Sequence, residues 1–151
     1  MAAIFCLAQI LSAQPIDIEA TSQEADNGDD TAQLKLGLAY LNGEGVDENL
    51  GKAAYYVTLS ADQNNSDAQY TLGLLYRDGL GVSTDSQKAA CWFRKAADQD
   101  HVCAQYELGL MYKNGDGLAP DIEKAIGWLE KAAEHGNNEA VQELQTLRET
   151  Q

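Results

Sequence analysis

Histidine is one of the side chains in this sequence that could bind a metal or transfer a proton, and it occurs only twice, at His101 and His135. No His-Glu-x-x-His, Gly-x-Ser-x-Gly or Ser-x-x-Lys motif is present to organise hydrolytic chemistry. His101 shares a repeat position with Asp29, Asn65 and Asn137, residue types that cap helix N-termini. We therefore predict a cap at His101, and no catalytic residue, metal site or cofactor in this chain.

Cysteine is the second reactive side chain, and the three cysteines are Cys6, Cys91 and Cys103. They form no Cys-x-x-Cys motif and are too few for a disulfide framework. Cys91 and Cys103 could pair only if the protein is exported. We predict two separate thiols instead, because positions in different helices place their Cα atoms beyond the roughly 7 Å that a disulfide spans.

Carboxylates dominate the charge of the chain. Twenty-four Asp and Glu against ten Lys and Arg give a formal net charge of −14. This field repels nucleic-acid phosphates and anionic membrane surfaces. The acidic stretch over residues 17–30 lacks the spacing of a calcium loop, and no apolar run reaches the length of a membrane span. These observations exclude nucleic acid as a partner and argue against membrane insertion of the mature domain.

The sequence repeats itself every 36 residues, which is the signature of a solenoid. Columns of identical residues are Ala32, Ala68, Ala104 and Ala140; Leu36, Leu72, Leu108 and Leu144; and Tyr40, Tyr76 and Tyr112. Glycine columns are Gly37, Gly73 and Gly109; Gly43, Gly79 and Gly115; and Gly45, Gly81 and Gly117. Three full repeats are therefore predicted, with half a repeat at each end.

Apolar residues within each unit follow the spacing of two helices. Ala68, Leu72 and Tyr76 define one face of a first helix, and Ala89 and Phe93 define one face of a second. N-caps are predicted at Asn49, Asp85 and Asp121, and left-handed helix stops at Gly28, Asn64, Asp100 and Gly136. The pattern predicts helical hairpins and no strand.

The glycines have two predicted roles. A Gly-x-Gly pair links the two helices of each unit and requires positive φ, whereas no strand or Lys-Ser/Thr accompanies it to form a phosphate site. Gly37, Gly73 and Gly109 lie inside the first helix, where each costs roughly 1 kcal/mol relative to Ala. A cost repeated in every unit indicates close approach of two helices.

Residues 104–118, Ala-Gln-Tyr-Glu-Leu-Gly-Leu-Met-Tyr-Lys-Asn-Gly-Asp-Gly-Leu, followed by Lys124-Ala125 and Trp128-Leu129, resemble a Sel1-like repeat. This family is a 36-residue relative of the tetratricopeptide repeat, and the resemblance covers about residues 16–150. It implies an all-α, α/α superhelical solenoid whose members act as adaptors in protein complexes, many of them bacterial. Cysteine-rich members carry two cysteines eight residues apart in each repeat, a spacing that Cys91 and Cys103 do not match.

The predicted organisation is a single solenoid domain over residues 15–151. It contains a half repeat at 15–29 with Pro15 in its first turn, repeats at about 30–65, 66–101 and 102–136, and a capping helix at 137–151. Residues 1–14 are apolar and uncharged, and Leu11-Ser12-Ala13 resembles a cleavage site. We interpret this segment as an export signal, which favours a periplasmic or secreted protein; an N-terminal helix in a cytoplasmic protein is the alternative.

The functional hypothesis is a non-enzymatic scaffold that binds a protein or an extended peptide on the concave face. Predicted contact residues are first-helix positions that vary between units: Lys35, Thr71 and Glu107 in one column, and Ala39, Leu75 and Met111 in another. The acidic charge predicts a basic partner with apolar anchors. The alternative is an envelope or secreted ligand-binding protein, or an accessory factor of an enzyme.

Overall fold

The structure, a computed structural model, describes residues 16–149 of the 151-residue chain. This part of the chain contains eight α-helices and no strand. They are α1 (Ile18–Asp26), α2 (Asp30–Asn42), α3 (Leu50–Asp62), α4 (Ser66–Asp78), α5 (Ser86–Ala97), α6 (Val102–Asn114), α7 (Ile122–Glu134) and α8 (Asn138–Glu149). The prediction of an all-α solenoid is confirmed.

Each helix packs most closely against the helices next to it in sequence. The pairs α2–α3, α4–α5 and α6–α7 form three helical hairpins, which stack through the contacts α3–α4 and α5–α6. Helix α1 packs on α2 at one end of the stack, and α8 packs on α7 at the other. We call α2, α4 and α6 the first helices, and α3, α5 and α7 the second helices.

The second helices begin and end where the sequence predicts. The side chains of Asn49, Asp85 and Asp121 accept hydrogen bonds from backbone N–H groups three residues later, at 2.9, 2.9 and 3.0 Å. Positive φ follows these helices even at non-glycine residues, 70° at Asn64 and 61° at Asp100. Asn and Asp are the residue types that tolerate this backbone best after glycine.

Helix α1 begins at Ile18, and its N-cap is Asp17. The predicted place of Pro15 in its first turn lies outside the described residues. At 9 residues α1 is shorter than the second helices that follow it. Residues 1–15, which include the export-signal interpretation and Cys6, lie outside the described part of the chain.

The core crosses from one repeat to the next. Leu34 and Leu38 of α2 share an apolar cluster with Leu72 and Leu75 of α4. Tyr70 and Leu74 of α4 occupy the equivalent place against Leu108 and Met111 of α6. A single hairpin cannot bury both faces of its first helix, so each repeat depends on its neighbour.

The interior glycines lie against a large side chain of the second helix. A Cβ atom added at Gly73 would lie 2.6 Å from the Phe93 ring, and one at Gly109 would lie 2.8 Å from Leu129 Cγ. At Gly37 the nearest atom would be Val57 Cγ2, at 2.7 Å. The predicted close approach is confirmed, although the nearest atoms are side chains rather than backbone. Each glycine leaves room on the first helix for one bulky side chain of the second helix to pack against it.

We expect Gly73→Leu to lower the free energy of unfolding by about 2–4 kcal/mol, because the new side chain must displace Phe93. Gly127→Ala is the matched control: Gly127 also lies inside a helix, but a Cβ there meets nothing within 4 Å. The control should stabilise the protein by up to about 1 kcal/mol. Urea unfolding measures both, and equal effects at the two sites would contradict the packing role.

Candidate partner-binding surface

The six predicted contact residues do not lie on one exposed surface. Ala39, Thr71, Leu75 and Met111 are buried, with at most 5% of their surface exposed. Lys35 is exposed. Glu107 belongs to the same column as Lys35 and Thr71, but its side chain is only 12% exposed. Of the six residues, Lys35 is therefore accessible to a partner and Glu107 is accessible only in part. The prediction that Leu75 and Met111 lie outside the core is wrong.

The reason for this burial is that a first helix contacts two neighbours. One stripe packs on its own second helix, and a further stripe packs on the preceding repeat. Leu75 and Met111 belong to the second stripe, against Leu38 and Leu74 respectively. An Asp at either buried position would place a carboxylate in an apolar interface, so such variants report on folding rather than on binding.

Salt bridges join α4 to α6 and α6 to α8. Arg77 Nη1 lies 3.1 Å from Glu107 Oε2, and Lys113 Nζ lies 2.7 Å from Glu143 Oε2. Each pair links one repeat position to the position 30 residues later. The cations are 33% and 28% exposed, so they are half-buried rather than free. We call Arg77, Glu107, Lys113 and Glu143 the charged strip.

Burial within this strip disfavours the charged form of the Glu107 carboxyl. Removal from water raises the pKa of its carboxyl above the ordinary value of 4.5, and the nearby Arg77 guanidinium opposes this shift only in part. Arg77 is shared, because its Nε also donates to Asp78 Oδ1 at 2.8 Å. Burial also raises the pKa of Tyr70, and the Glu107 carboxylate raises it further. The strip is therefore a place where charge is only partly compensated.

A column of buried glutamines was missed at the sequence level. Gln33, Gln69 and Gln105 have at most 4% of their surface exposed. The Gln69 amide nitrogen donates to the Ala61 carbonyl at 3.3 Å, and its amide oxygen accepts from Gln99 at 2.8 Å. Gln69 therefore links the ends of α3 and α5.

The same bonds recur along the stack. Gln63 donates to Gln33 at 2.7 Å, and His135 Nδ1 lies 3.1 Å from Gln105 Oε1. The 36-residue spacing of these glutamines was the signal that could have revealed them. In α8 the column holds Val141, which is 40% exposed, and the series of amide bonds ends there.

The histidine, cysteine and tryptophan side chains considered in the sequence have structural rather than catalytic surroundings. The His101 cap is confirmed, because its Nδ1 accepts from the Ala104 N–H at 3.2 Å while its ring stacks on Tyr70 at 4.6 Å. Cys91 is an exposed free thiol, as predicted, whereas the prediction of a free thiol is wrong at Cys103, which is disulfide-bonded. Trp128 and the equivalent tryptophan of α5 are half-buried and pack against the apolar clusters.

Within residues 16–149, no group of three or more His, Cys, Asp or Glu side chains could hold a metal ion. Over the same range, no helix has the length and apolar character needed to cross a membrane.

Comparison with known families identifies the repeat. The Sel1 repeat model matches residues 30–65, 66–101 and 104–137, which together make up most of the chain. The chain belongs to the Sel1 repeat family. A Sel1 repeat protein from Oxalobacter formigenes is 38% identical with a TM-score of 0.80, over 86% of this chain and 98% of that one. Sel1 repeats generally act as modules for protein–protein interaction and not as catalysts.

Two further solved structures are similar to this Sel1 repeat protein. A protective antigen of uropathogenic Escherichia coli with an SLR fold is 35% identical with a TM-score of 0.81, over 83% of this chain and 27% of that one. Cysteine-rich protein B of Helicobacter pylori is 21% identical with a TM-score of 0.68, over 83% and 93%, a likeness of fold alone. None of the curated proteins compared with this chain matches it.

The charged strip makes a prediction about pH. Because burial holds the Glu107 pKa above 4.5, the contribution of this carboxyl to stability is most favourable below pH 4.5 and is lost as pH rises through the raised pKa. Removing the opposing cation with Arg77→Gln should raise the pKa further, as measured by NMR titration of the Glu107 carboxyl carbon. Arg148→Gln removes the same charge at an exposed site and should leave it unchanged. A Glu107 pKa that falls in Arg77→Gln would contradict this electrostatic account.

The glutamine column makes a prediction about stability. Gln69→Leu removes the two hydrogen bonds with the Ala61 carbonyl and the Gln99 amide, at a cost of about 1–3 kcal/mol in the free energy of unfolding. Gln87→Leu at an exposed site is the control and should change stability by less than about 0.5 kcal/mol. If chemical denaturation finds the two variants equally stable, the buried amide bonds have no net role.

Proposed function

We propose that this protein is a non-enzymatic scaffold that binds a protein partner along the first helices, on the concave side of the solenoid. The observation that supports the proposal is the charged strip. The two repeat columns that contain its residues vary along the chain, from Lys35 and Leu41 in the first repeat to Glu143 and Lys113, whereas the buried alanine, leucine and glycine columns repeat unchanged. Packing explains the constant columns, and recognition of a partner explains the variable ones.

The chemistry of the strip changes along the solenoid. One repeat earlier in the sequence, the positions of Arg77 and Glu107 are occupied by Leu41 and Thr71. Exposed Lys35 lies one repeat before Thr71. Thr71 is buried, so a segment that runs along the first helices would meet the partly exposed Leu41 before the two ion pairs. Such a gradient favours one direction of binding.

Charge supports a basic partner. At a net charge of −14 the chain attracts Lys- and Arg-rich segments and repels acidic ones, more strongly at low salt. Partly exposed apolar residues beside the strip, Tyr106 and Leu110, supply contact area for one or two apolar side chains. Three repeats at roughly 10 Å per helix layer match a segment of about eight to ten extended residues. The buried core positions make no contribution to this proposal.

Photo-cross-linking in the native host tests where the partner binds. A cross-linking amino acid at Lys35, Asn42 or Asn114 labels the first helices, and one at Glu123 or Gly127 labels the exposed face of α7. We expect one host protein to be captured from the first set and not from the second. Capture only from α7 would place the partner on another face and contradict the proposal.

A charge swap then tests recognition with the isolated partner. The double variant Lys113→Glu and Glu143→Lys keeps the net charge and the ion pair but reverses the charges that the partner meets. We expect binding to weaken by about tenfold in calorimetry while the melting temperature stays nearly constant. Unchanged affinity in the folded variant would exclude the strip as the recognition surface.

A further inference from the structure

We infer that a second surface, on the first repeat, receives an arginine or lysine side chain from a protein partner. This surface consists of Tyr55, Tyr56 and Asp26, and we call it the tyrosine patch. The inference rests on the proposed function only in that the chain binds a protein. It concerns a different surface from the charged strip.

Aromatic rings meet at this patch. Tyr55 is 59% exposed, and its ring meets that of the half-buried Tyr56 edge-on, with ring centroids 5.1 Å apart. Tyr56 in turn lies parallel to Tyr40, at 6.0 Å between centroids. The equivalents of Tyr55 in the next two repeats are Cys91 and Gly127. The exposed tyrosine is therefore not a requirement of the repeat fold.

The other repeats show what an aromatic ring at the position of Tyr56 binds. Lys95 Nζ lies 3.7 Å from the centroid of Trp92, and Lys131 Nζ lies 4.3 Å from that of Trp128. Each lysine is three residues after the aromatic residue that it covers. The corresponding residue after Tyr56 is Leu59. The first repeat thus has the ring but not the cation that accompanies the ring elsewhere.

The lysine nearest to the patch has an equivalent in every repeat. Lys52 Nζ lies 4.8 Å from the centroid of Tyr40 and 3.4 Å from the Tyr40 hydroxyl oxygen. Lys88 and Lys124 lie over Tyr76 and Tyr112 in the same way, at 5.2 and 5.6 Å. Lys52 therefore lies over Tyr40 as its equivalents lie over theirs, and it does not take the place of the lysine that is replaced by Leu59 in the first repeat.

The charge around the patch suits a cation. Asp26, at the end of α1, lies close enough to Tyr56 that its carboxylate adds to burial in raising the pKa of that ring hydroxyl, while Lys52 acts in the opposite direction. An aromatic face beside a carboxylate binds Arg or Lys through cation–π attraction and a charge-assisted hydrogen bond. The partner side chain would occupy the place that Lys95 and Lys131 occupy in the other repeats.

A short synthetic peptide tests this inference directly. The probe is a fluorescein-labelled nonapeptide of alternating glycine and arginine, and the matched probe carries citrulline, which has the shape of arginine without its charge. Fluorescence anisotropy measures binding to the full chain at low salt. We expect the arginine probe to bind and the citrulline probe to bind at least about threefold more weakly, from the strength of one cation–π contact.

Three variants locate the binding. Tyr55→Ala removes the exposed ring, and Leu59→Lys supplies the internal lysine that the other repeats have; each should weaken arginine-probe binding by about threefold to tenfold. Gln87→Lys adds the same charge to the second repeat and should change binding by less than about twofold. Circular dichroism verifies that all three are folded.

The outcomes separate this inference from the proposed function. Equal binding by wild type, Tyr55→Ala and Leu59→Lys would overturn the tyrosine patch, as would equal binding of the two probes. If Leu59→Lys unfolds, shifts of the Tyr55 and Tyr56 ring resonances on titration of the wild type decide instead, and unshifted rings overturn the inference. The charge swap at Lys113 and Glu143 should leave probe binding at the patch intact. Failure at the patch therefore leaves the charged strip untouched, and the reverse also holds.

Discussion

The contact between an interior glycine and one bulky side chain holds each hairpin together. Val57, Phe93 and Leu129 enter the first helix at the place where Gly37, Gly73 and Gly109 leave room. This contact fixes the distance between the two helices of a repeat. That distance determines which residues of the first helix are left to meet the next repeat. The inter-repeat core, the glutamine bonds and the charged strip all depend on it.

Much of this architecture could be predicted from the sequence, because its signals are local or periodic. Caps at Asn49 and Asp85, and the left-handed stop at Asn64, follow from residue type at one position. The glycine contact follows from a helix-breaking residue repeated at fixed spacing.

The binding surface was predicted less well, for a physical reason. Amphipathic spacing identifies the face of a helix that packs on one partner, but a first helix packs on two. Leu75 and Met111 were therefore predicted to be exposed, although they pack against the preceding repeat. The salt bridge from Arg77 to Glu107 joins two repeats, so no local sequence pattern predicts it. Only the three-dimensional stacking brings these side chains together.

The two proposed surfaces share one logic. Packing and amide bonds occupy the positions that repeat unchanged, and recognition is left to positions where the repeats differ. The charged strip varies along the first helices, and the tyrosine patch differs from its counterparts at Tyr55 and Leu59. Under both proposals a basic partner contacts the solenoid at two separate points, which increases its affinity.

Hydrogen–deuterium exchange on the complex with the partner tests the central claim most directly. Binding along the first helices should slow amide exchange at the surface ends of α2, α4 and α6, over residues 30–42, 66–78 and 102–114. Exchange in α7, over residues 122–134, should stay as it is in the free protein. Protection confined to α7, with the first helices unchanged, would contradict the account.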